Sequence, residues 1–305
     1  MATPGIPIVD LASDEGLVAS FAPEAGMVCC SLTHDGEQVL GLRGGLGAYI
    51  GKRSTMGIPL LYPWANRLSD PQFEAAGRAA DVSASEPPPK LDANGLPIHG
   101  LLTAAPGWDV IEPPADGRMA ARFRFDGTLA TGFPFPHTVL LVATVRAKEL
   151  RIELTVEADA GSPVPIAFGF HPYFALPGIP RDEWLVSAPV RTRIELDGRG
   201  LPTGERTPAT PIAGALAGRT FDDAFLAPSG GEPFRLSGGG RRVEVRFDGG
   251  FPFAQLYAPP GEELLAWEPM TAPTNALISG DALKVIAPGE SYTAGFSIRV
   301  ERDTV

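Results

Sequence analysis

Two residues of this chain stand where proton transfer would need them. His171 lies in Phe168-Gly169-Phe170-His171-Pro172-Tyr173-Phe174, and Glu268 in Trp267-Glu268-Pro269-Met270-Thr271-Ala272-Pro273. Each precedes a proline, which pushes the preceding backbone towards extended conformations and narrows its range. A side chain on such a residue is aimed with little entropy left to lose. Imidazole and carboxyl groups are the side chains most used for proton transfer near neutral pH. Facing each other across a pocket, they could serve one substrate as acid and base. Two further segments set an ionisable residue among aromatics and rigid prolines: Gly57-Ile58-Pro59-Leu60-Leu61-Tyr62-Pro63-Trp64-Ala65-Asn66-Arg67 and Gly95-Leu96-Pro97-Ile98-His99-Gly100. Aromatic faces stack on the C–H surfaces of sugars while charged forks and imidazoles take the hydroxyls, so these segments point to a carbohydrate pocket.

Plainer readings compete at several positions. His34, in a Thr-His-Asp-Gly turn, reads as solvated, and His137, opening a strand after a Pro-rich turn, reads as structural. Arg67 pairs with Asp70 at a turn in the plain reading and with substrate in the other. Tyr62, Trp64, Tyr173 and Phe174 fit core and pocket equally. His99, His171 and Glu268 are zinc-binding types, but no short His-x-x-x-His spacing supports a metal site. Cys29 and Cys30 are adjacent, cannot close an ordinary disulfide loop, and read as buried and inert.

The elements that must carry these residues read as strands. Arg151–Glu157, Arg242–Phe247 and Ala121–Phe125 alternate apolar and polar residues with period two, as half-buried strands do. Tyr292, Ala294, Phe296, Ile298 and Val300 form one face of a last strand. Residues 137–146 and 150–158 read as a hairpin turning at 147–149. Val139-Leu140-Leu141-Val142 is apolar on both faces, which predicts a strand covered on both sides. No twelve-residue window carries a convincing helical period with caps, and no repeat recurs at fixed spacing. Residues 84–90, 105–117, 159–165, 198–217 and 228–240 are rich in proline and glycine and read as surface loops. The expectation is an all-β chain, one large antiparallel β-sandwich domain over residues 1–305, with helix confined to short turns.

Composition agrees. Hydrophobic residues make up 44% of the 305 and charged residues 20%, enough apolar side chain for a sizeable core and against a disordered chain. The 36 glycines and 32 prolines are about twice ordinary usage and leave little room for long helices. With 25 Lys+Arg against 36 Asp+Glu the net charge is −11 and no basic run stands out, which disfavours nucleic acid and anionic membrane as partners. The longest apolar stretch, residues 139–145, is far short of the ~20 residues of a membrane helix. The N-terminal sixteen residues show neither the charged nor the apolar region of a signal peptide. A reducing, cytoplasmic location and a monomer or weak homodimer are expected.

Taken together, the segments "PWANRL", the "HG" of His99-Gly100, "HPYF", "FDDAF" and "WEPMTAPTNAL" followed by "PGE" resemble the aldose 1-epimerase (galactose mutarotase) family, in that family's order and from about residue 36 to the C-terminus. The resemblance implies a large antiparallel β-sandwich. It implies that His171 is the general acid that protonates the sugar ring oxygen, and Glu268 the general base that takes the proton from the anomeric hydroxyl. Arg67, His99 and Asp222 match sugar-binding positions; Asp223 adjoins Asp222, and the spacing to Phe225 favours Asp222. "PWANRL" departs from the commoner form of the family, which has Gly-Arg before Ala-Asn-Arg, and that bears on the preferred sugar. The implied reaction opens the hemiacetal ring, allows rotation about C1–C2 and recloses it as the other anomer, with no metal, nucleotide or covalent intermediate.

Two alternatives stand beside a free-aldose epimerase. One is a hexose-6-phosphate 1-epimerase on the same fold. Such relatives tend to carry an arginine soon after His-Gly, where this chain has Leu101-Leu102-Thr103, leaving Lys52 and Arg53 as the phosphate contacts nearby in sequence. The other is a non-catalytic sugar-binding module, against which the presence of both His171 and Glu268 argues. A glycosidase using Glu268 with Asp222 fits the residue types but none of the motifs.

Overall fold

The computed structural model describes residues 5–302. The period-two segments are strands with the expected faces inward: Ile152, Leu154 and Val156 are buried, as are Ala121, Phe123 and Phe125, and Ala294, Phe296, Ile298 and Val300. His137–Arg146 pairs with Glu149–Ala158, Arg146 lying opposite Glu149 across the turn. This hairpin is central to a nine-stranded antiparallel sheet. Its strands run in the order Asp109–Ala115, Arg118–Phe125, His137–Arg146, Glu149–Ala158, Ser291–Arg302, Arg241–Gly249, Phe234–Gly238, Leu185–Ala188, Ile212–Ala215.

A second antiparallel sheet runs Pro202–Pro208, Thr192–Leu196, Phe221–Leu226, Phe253–Ala258, Leu265–Met270, Gly169–Phe170, Leu60–Leu61, with Tyr173–Phe174 pairing the Leu265–Met270 strand beyond Gly169. The two sheets form a β-sandwich whose inner faces share one core: Phe170 meets Phe296 at 5.0 Å between ring centroids, and Trp267 meets Phe234 at 5.9 Å.

Alternation along the second sheet sets up the site. Trp267 points into the core, so Glu268 points to the opposite face, and Leu256 and Ala254 likewise send Gln255 and Tyr257 outward. Register then aligns these outward residues, with Gln255 opposite Glu268, Tyr257 opposite both Asp222 and Ala266, and Ala266 opposite Tyr173. Residues far apart in sequence thus meet on one face of four neighbouring strands.

Among the described residues, helix is limited to Gly45–Lys52 and the single turns Leu129–Gly132 and Ala276–Ser279, besides three short 3-10 turns. Among the described residues no helix is long and apolar enough to cross a membrane.

Four expectations are corrected. The segments read as loops contain strands: Asp109–Ala115, Pro202–Pro208 and Ile212–Ala215 are the outermost strands of their sheets, and Val164–Ile166 and Phe234–Gly238 are strands too. An edge strand needs partners on one side only and tolerates Pro113, Pro114 and Pro202, so proline hides it from a pattern search. Leu140 and Val142 are half-buried, because the outward face of the nine-stranded sheet meets solvent at that point. His34 is 3% exposed and its ring nitrogens lack hydrogen-bond partners, although its turn reads as solvated; it ends the strand Val28–His34 opposite Leu17, with the ring on the buried side. Cys30 is half-buried, while Cys29 is fully buried, and burial raises both thiols well above their usual range.

Candidate active site

On that outward face lies a cavity of about 280 Å³, with His99, His171, Arg67, Asp222 and Glu268 all in its lining. The structure therefore brings together all five residues singled out by the sequence.

His171 and Glu268 face each other, His171 Nε2 lying 3.1 Å from Glu268 Oε1. Only 3% and 2% of the two residues are exposed, and His171 Nδ1 and Glu268 Oε2 have no hydrogen-bond partner among the described residues. Burial pushes the Glu268 carboxyl well up, the Asp222 carboxylate adds to the rise, and Arg67 partly offsets it. Burial pushes His171 well down, reinforced by His99 and Arg43. The 3.1 Å contact has the geometry of an ion pair, yet each group is driven towards neutrality. Both descriptions carry one proton for the pair, held between a nitrogen and an oxygen within hydrogen-bond reach. A pair that shares one proton has an acid and a base at once.

The loop that presents His99 explains why a glycine follows it. His99 has φ +63° and Gly100 φ +73°, and a Cβ on Gly100 would come 2.1 Å from the carbonyl oxygen of Tyr62. Only glycine lets the two segments touch. The amide of His99 donates to the Asn66 carbonyl at 2.9 Å and that of Leu68 to Pro97, so the two segments form one unit. The His99 ring meets His171 edge-on at 5.5 Å. Burial, with Arg67, Lys90 and Arg43 adding to it, lowers His99 to about 3, so the ring is neutral at neutral pH.

Arg67 does not pair with Asp70, whose carboxylate accepts from the amide of Gln72. Arg67 Nε donates to Asp92 at 2.8 Å, Nη1 to Asn66 Oδ1 at 3.1 Å, and Nη2 lies 3.6 Å from Asp222. Asp92 is costly to bury, but the amides of Leu96 and Asn94 and the Arg67 guanidinium hold its carboxyl below the usual value. Asp222 accepts from Gln255 Nε2 at 2.7 Å. Asp223 is turned away and pairs with Arg193, so Asp222 is the carboxylate of "FDDAF" that lines the cavity.

Of the four aromatics left open, Tyr62, Trp64 and Phe174 belong to the core and Tyr173 lines the cavity. Tyr62 hydrogen-bonds His137, which stacks on Phe125 at 4.8 Å, so His137 is structural.

Sequence reasoning missed Arg43, Thr55, Asn66, Lys90, Asp92 and Tyr257, which also line the cavity. It also named the wrong cations: Lys52 and Arg53 are absent from the lining, and Arg53 donates to the carbonyl of Pro88. Arg43 is tied by two nitrogens to Glu262 at 2.8 and 3.1 Å. Lys90 Nζ donates to the Arg53 carbonyl at 3.1 Å, and among the described residues no carboxylate pairs with it. Among the described residues, no group of three His, Cys, Asp or Glu could hold a metal ion.

A model of the aldose 1-epimerase family matches residues 8–299. The uncharacterized protein YihR of Escherichia coli (strain K12) is 25% identical over 253 residues, covering 80% of this chain and 79% of YihR. A galactose mutarotase-like protein from Clostridium acetobutylicum superposes with a TM-score of 0.83 at 19% identity, over 94% of this chain and 93% of the other. A putative aldose 1-epimerase from Escherichia coli K12 does so with 0.77 at 20% identity, over 98% and 100%.

Proposed function

Because the chain belongs to the aldose 1-epimerase family, we propose that it interconverts the α and β anomers of a free aldose by acid–base opening of the sugar ring. The observation that carries this reading is the buried His171–Glu268 pair, 3.1 Å apart at the floor of a polar cavity. The anomeric hydroxyl and the ring oxygen of an aldose are both bonded to C1, so two groups this close can reach both. In the reactive form Glu268 is a carboxylate and His171 an imidazolium. Glu268 takes the proton from O1, the bond from C1 to the ring oxygen breaks, and the ring oxygen takes the proton from His171. Rotation about C1–C2 turns the aldehyde over. Closure returns the proton from the ring oxygen to His171 and from Glu268 to O1, so protons balance over the cycle.

Asp222 is set to make Glu268 a stronger base, since its charge favours the protonated carboxyl. Arg67, held by Asp92 and Asn66, is oriented to take sugar hydroxyls, and His99, neutral, to take a further one. Polarimetry of freshly dissolved α-glucose and α-galactose tests the reading. Equilibration faster than the buffer rate is expected, and a rate equal to buffer across a panel of aldoses would refute it.

A hexose 6-phosphate is the second reading, favoured by Lys90. Against it, Arg43 and Arg67 already face carboxylates, which leaves one ammonium to offset a phosphate beside Asp92, Asp222 and Glu268.

A further inference from the structure

Among the described residues Arg43 makes no hydrogen bond to His171 or Glu268, yet it contacts two of the three rings packed on His171, those of Tyr173 and Tyr257. Its guanidinium carbon lies 4.6 Å from the Tyr173 ring centroid, and that ring stacks on His171 at 4.1 Å with an interplanar angle of 16°. Arg43 and His171 thus both lie against the Tyr173 ring. Arg43 Nη1 donates to the Tyr173 hydroxyl at 3.2 Å and Nη2 to the Tyr257 hydroxyl at 3.3 Å, while the bidentate pair with Glu262 fixes the plane of the fork. Its backbone is in the left-handed region at φ +43°, unusual for a residue that is not glycine or asparagine.

The Tyr173 hydroxyl has two other neighbours, Thr55 Oγ1 at 2.7 Å and His171 Nε2 at 3.1 Å. It has one proton to give. Directed at Thr55, it leaves the Tyr173 oxygen free to accept from a protonated Nε2; directed at His171, it supports the unprotonated Nε2. Epimerisation needs both states of His171 in each turnover, an acid on opening and a base on closing. We propose that Arg43 is a positioning residue for this reaction, acting through the Tyr173 hydroxyl to keep His171 able to serve in both states. The inference rests on the epimerase reading above. The Arg43 charge also disfavours the imidazolium, as does His99. The other groups facing His171 are Glu268, Tyr173 and Tyr257.

The test compares wild type with Arg43→Gln, Arg43→Lys, Tyr173→Phe and the Arg43→Gln/Tyr173→Phe double variant, in pH profiles of mutarotation and in 15N NMR titration of the His171 ring. In Arg43→Gln, kcat should fall about tenfold, the scale of a small misplacement of a reacting group, with KM nearly unchanged. Removing the charge should raise the His171 titration and move the acidic limb up by about half a pH unit. Arg43→Lys keeps the charge, so the limb should stay while kcat recovers only in part. The double variant should lose no more than Tyr173→Phe alone, because both act through one hydroxyl. A wild-type pH profile and NMR titration in folded Arg43→Gln, or additive losses in the double variant, would overturn the inference. If wild type turned over no aldose, the epimerase reading would fail, and the NMR titration would still decide whether Arg43 governs His171.

Discussion

Replacing the acid–base pair with uncharged relatives, as the double variant His171→Asn/Glu268→Gln, should change how stability depends on pH in a pattern fixed by one proton. In the unfolded chain the two groups titrate near 6.5 and 4.5. Between those values the unfolded pair carries one proton, on the histidine. The folded pair also carries one, wherever it sits between Nε2 and Oε1, so stability gains no slope from the pair in that window. Above 6.5 the unfolded pair carries none and the folded pair still one, so raising the pH favours unfolding. Below 4.5 the unfolded pair carries two, so lowering the pH also favours unfolding. Each pH unit outside the window costs the wild type about 1.4 kcal/mol relative to the variant, and two units above it about 2.7 kcal/mol. Burial supports retention of the proton over that range, since it pushes the Glu268 carboxyl well up. Urea unfolding of both proteins from pH 4 to 8.5 measures the difference, and groups common to both cancel. A difference that stays flat above pH 6.5 would mean that the folded pair has already lost its proton. The site would then hold a base without an acid, and the proposed ring opening would have no donor.

Singly, Glu268→Gln and His171→Asn should each slow mutarotation by about 10²–10⁴-fold in a folded protein; near wild-type turnover with unchanged melting would remove that residue from the mechanism. Arg67→Ala, His99→Ala and Asp222→Ala should mainly raise KM, because hydroxyl contacts are made in ground and transition states alike, and Asp223→Ala should leave KM alone; the reverse result for the two aspartates would shift the site by one residue. Glucose should be turned over at least about tenfold more efficiently than glucose 6-phosphate, about 1.4 kcal/mol in transition-state binding. A preference for the phosphate that disappears in Lys90→Ala would establish the second reading instead.

What could be read from sequence was what is local. Alternation in Arg151–Glu157 and Ser291–Arg302 needs only one buried face, and His171 and Glu268 each announce themselves by a proline one residue later. The edge strands failed because Pro113 and Pro202 carry a loop signal that pairing on one side overrides. The cations failed for a different reason. Arg43 reaches the site through Glu262, 219 residues away, and no local pattern records such a partnership. Lys90 lies in a two-residue strand folded back on residues 97–98, too short for a period. Gln255 was visible in principle, as the one amide in the apolar strand Phe253–Ala258, and it turns out to hold Asp222.

The outermost strands have a consequence for how copies of this protein meet. A bare sheet edge is a template on which another chain can continue the ladder. Asp109–Ala115 closes one edge of the nine-stranded sheet with two consecutive prolines, and Pro202–Pro208 closes one edge of the second sheet with a proline at each end. A proline offers no N–H to an incoming strand and breaks the rhythm of donors it would need. Growth by strand addition is blocked along these two margins, so a crowded solution of this sheet-rich protein is guarded against ribbon-like aggregation there by the same residues that made its margins look like loops.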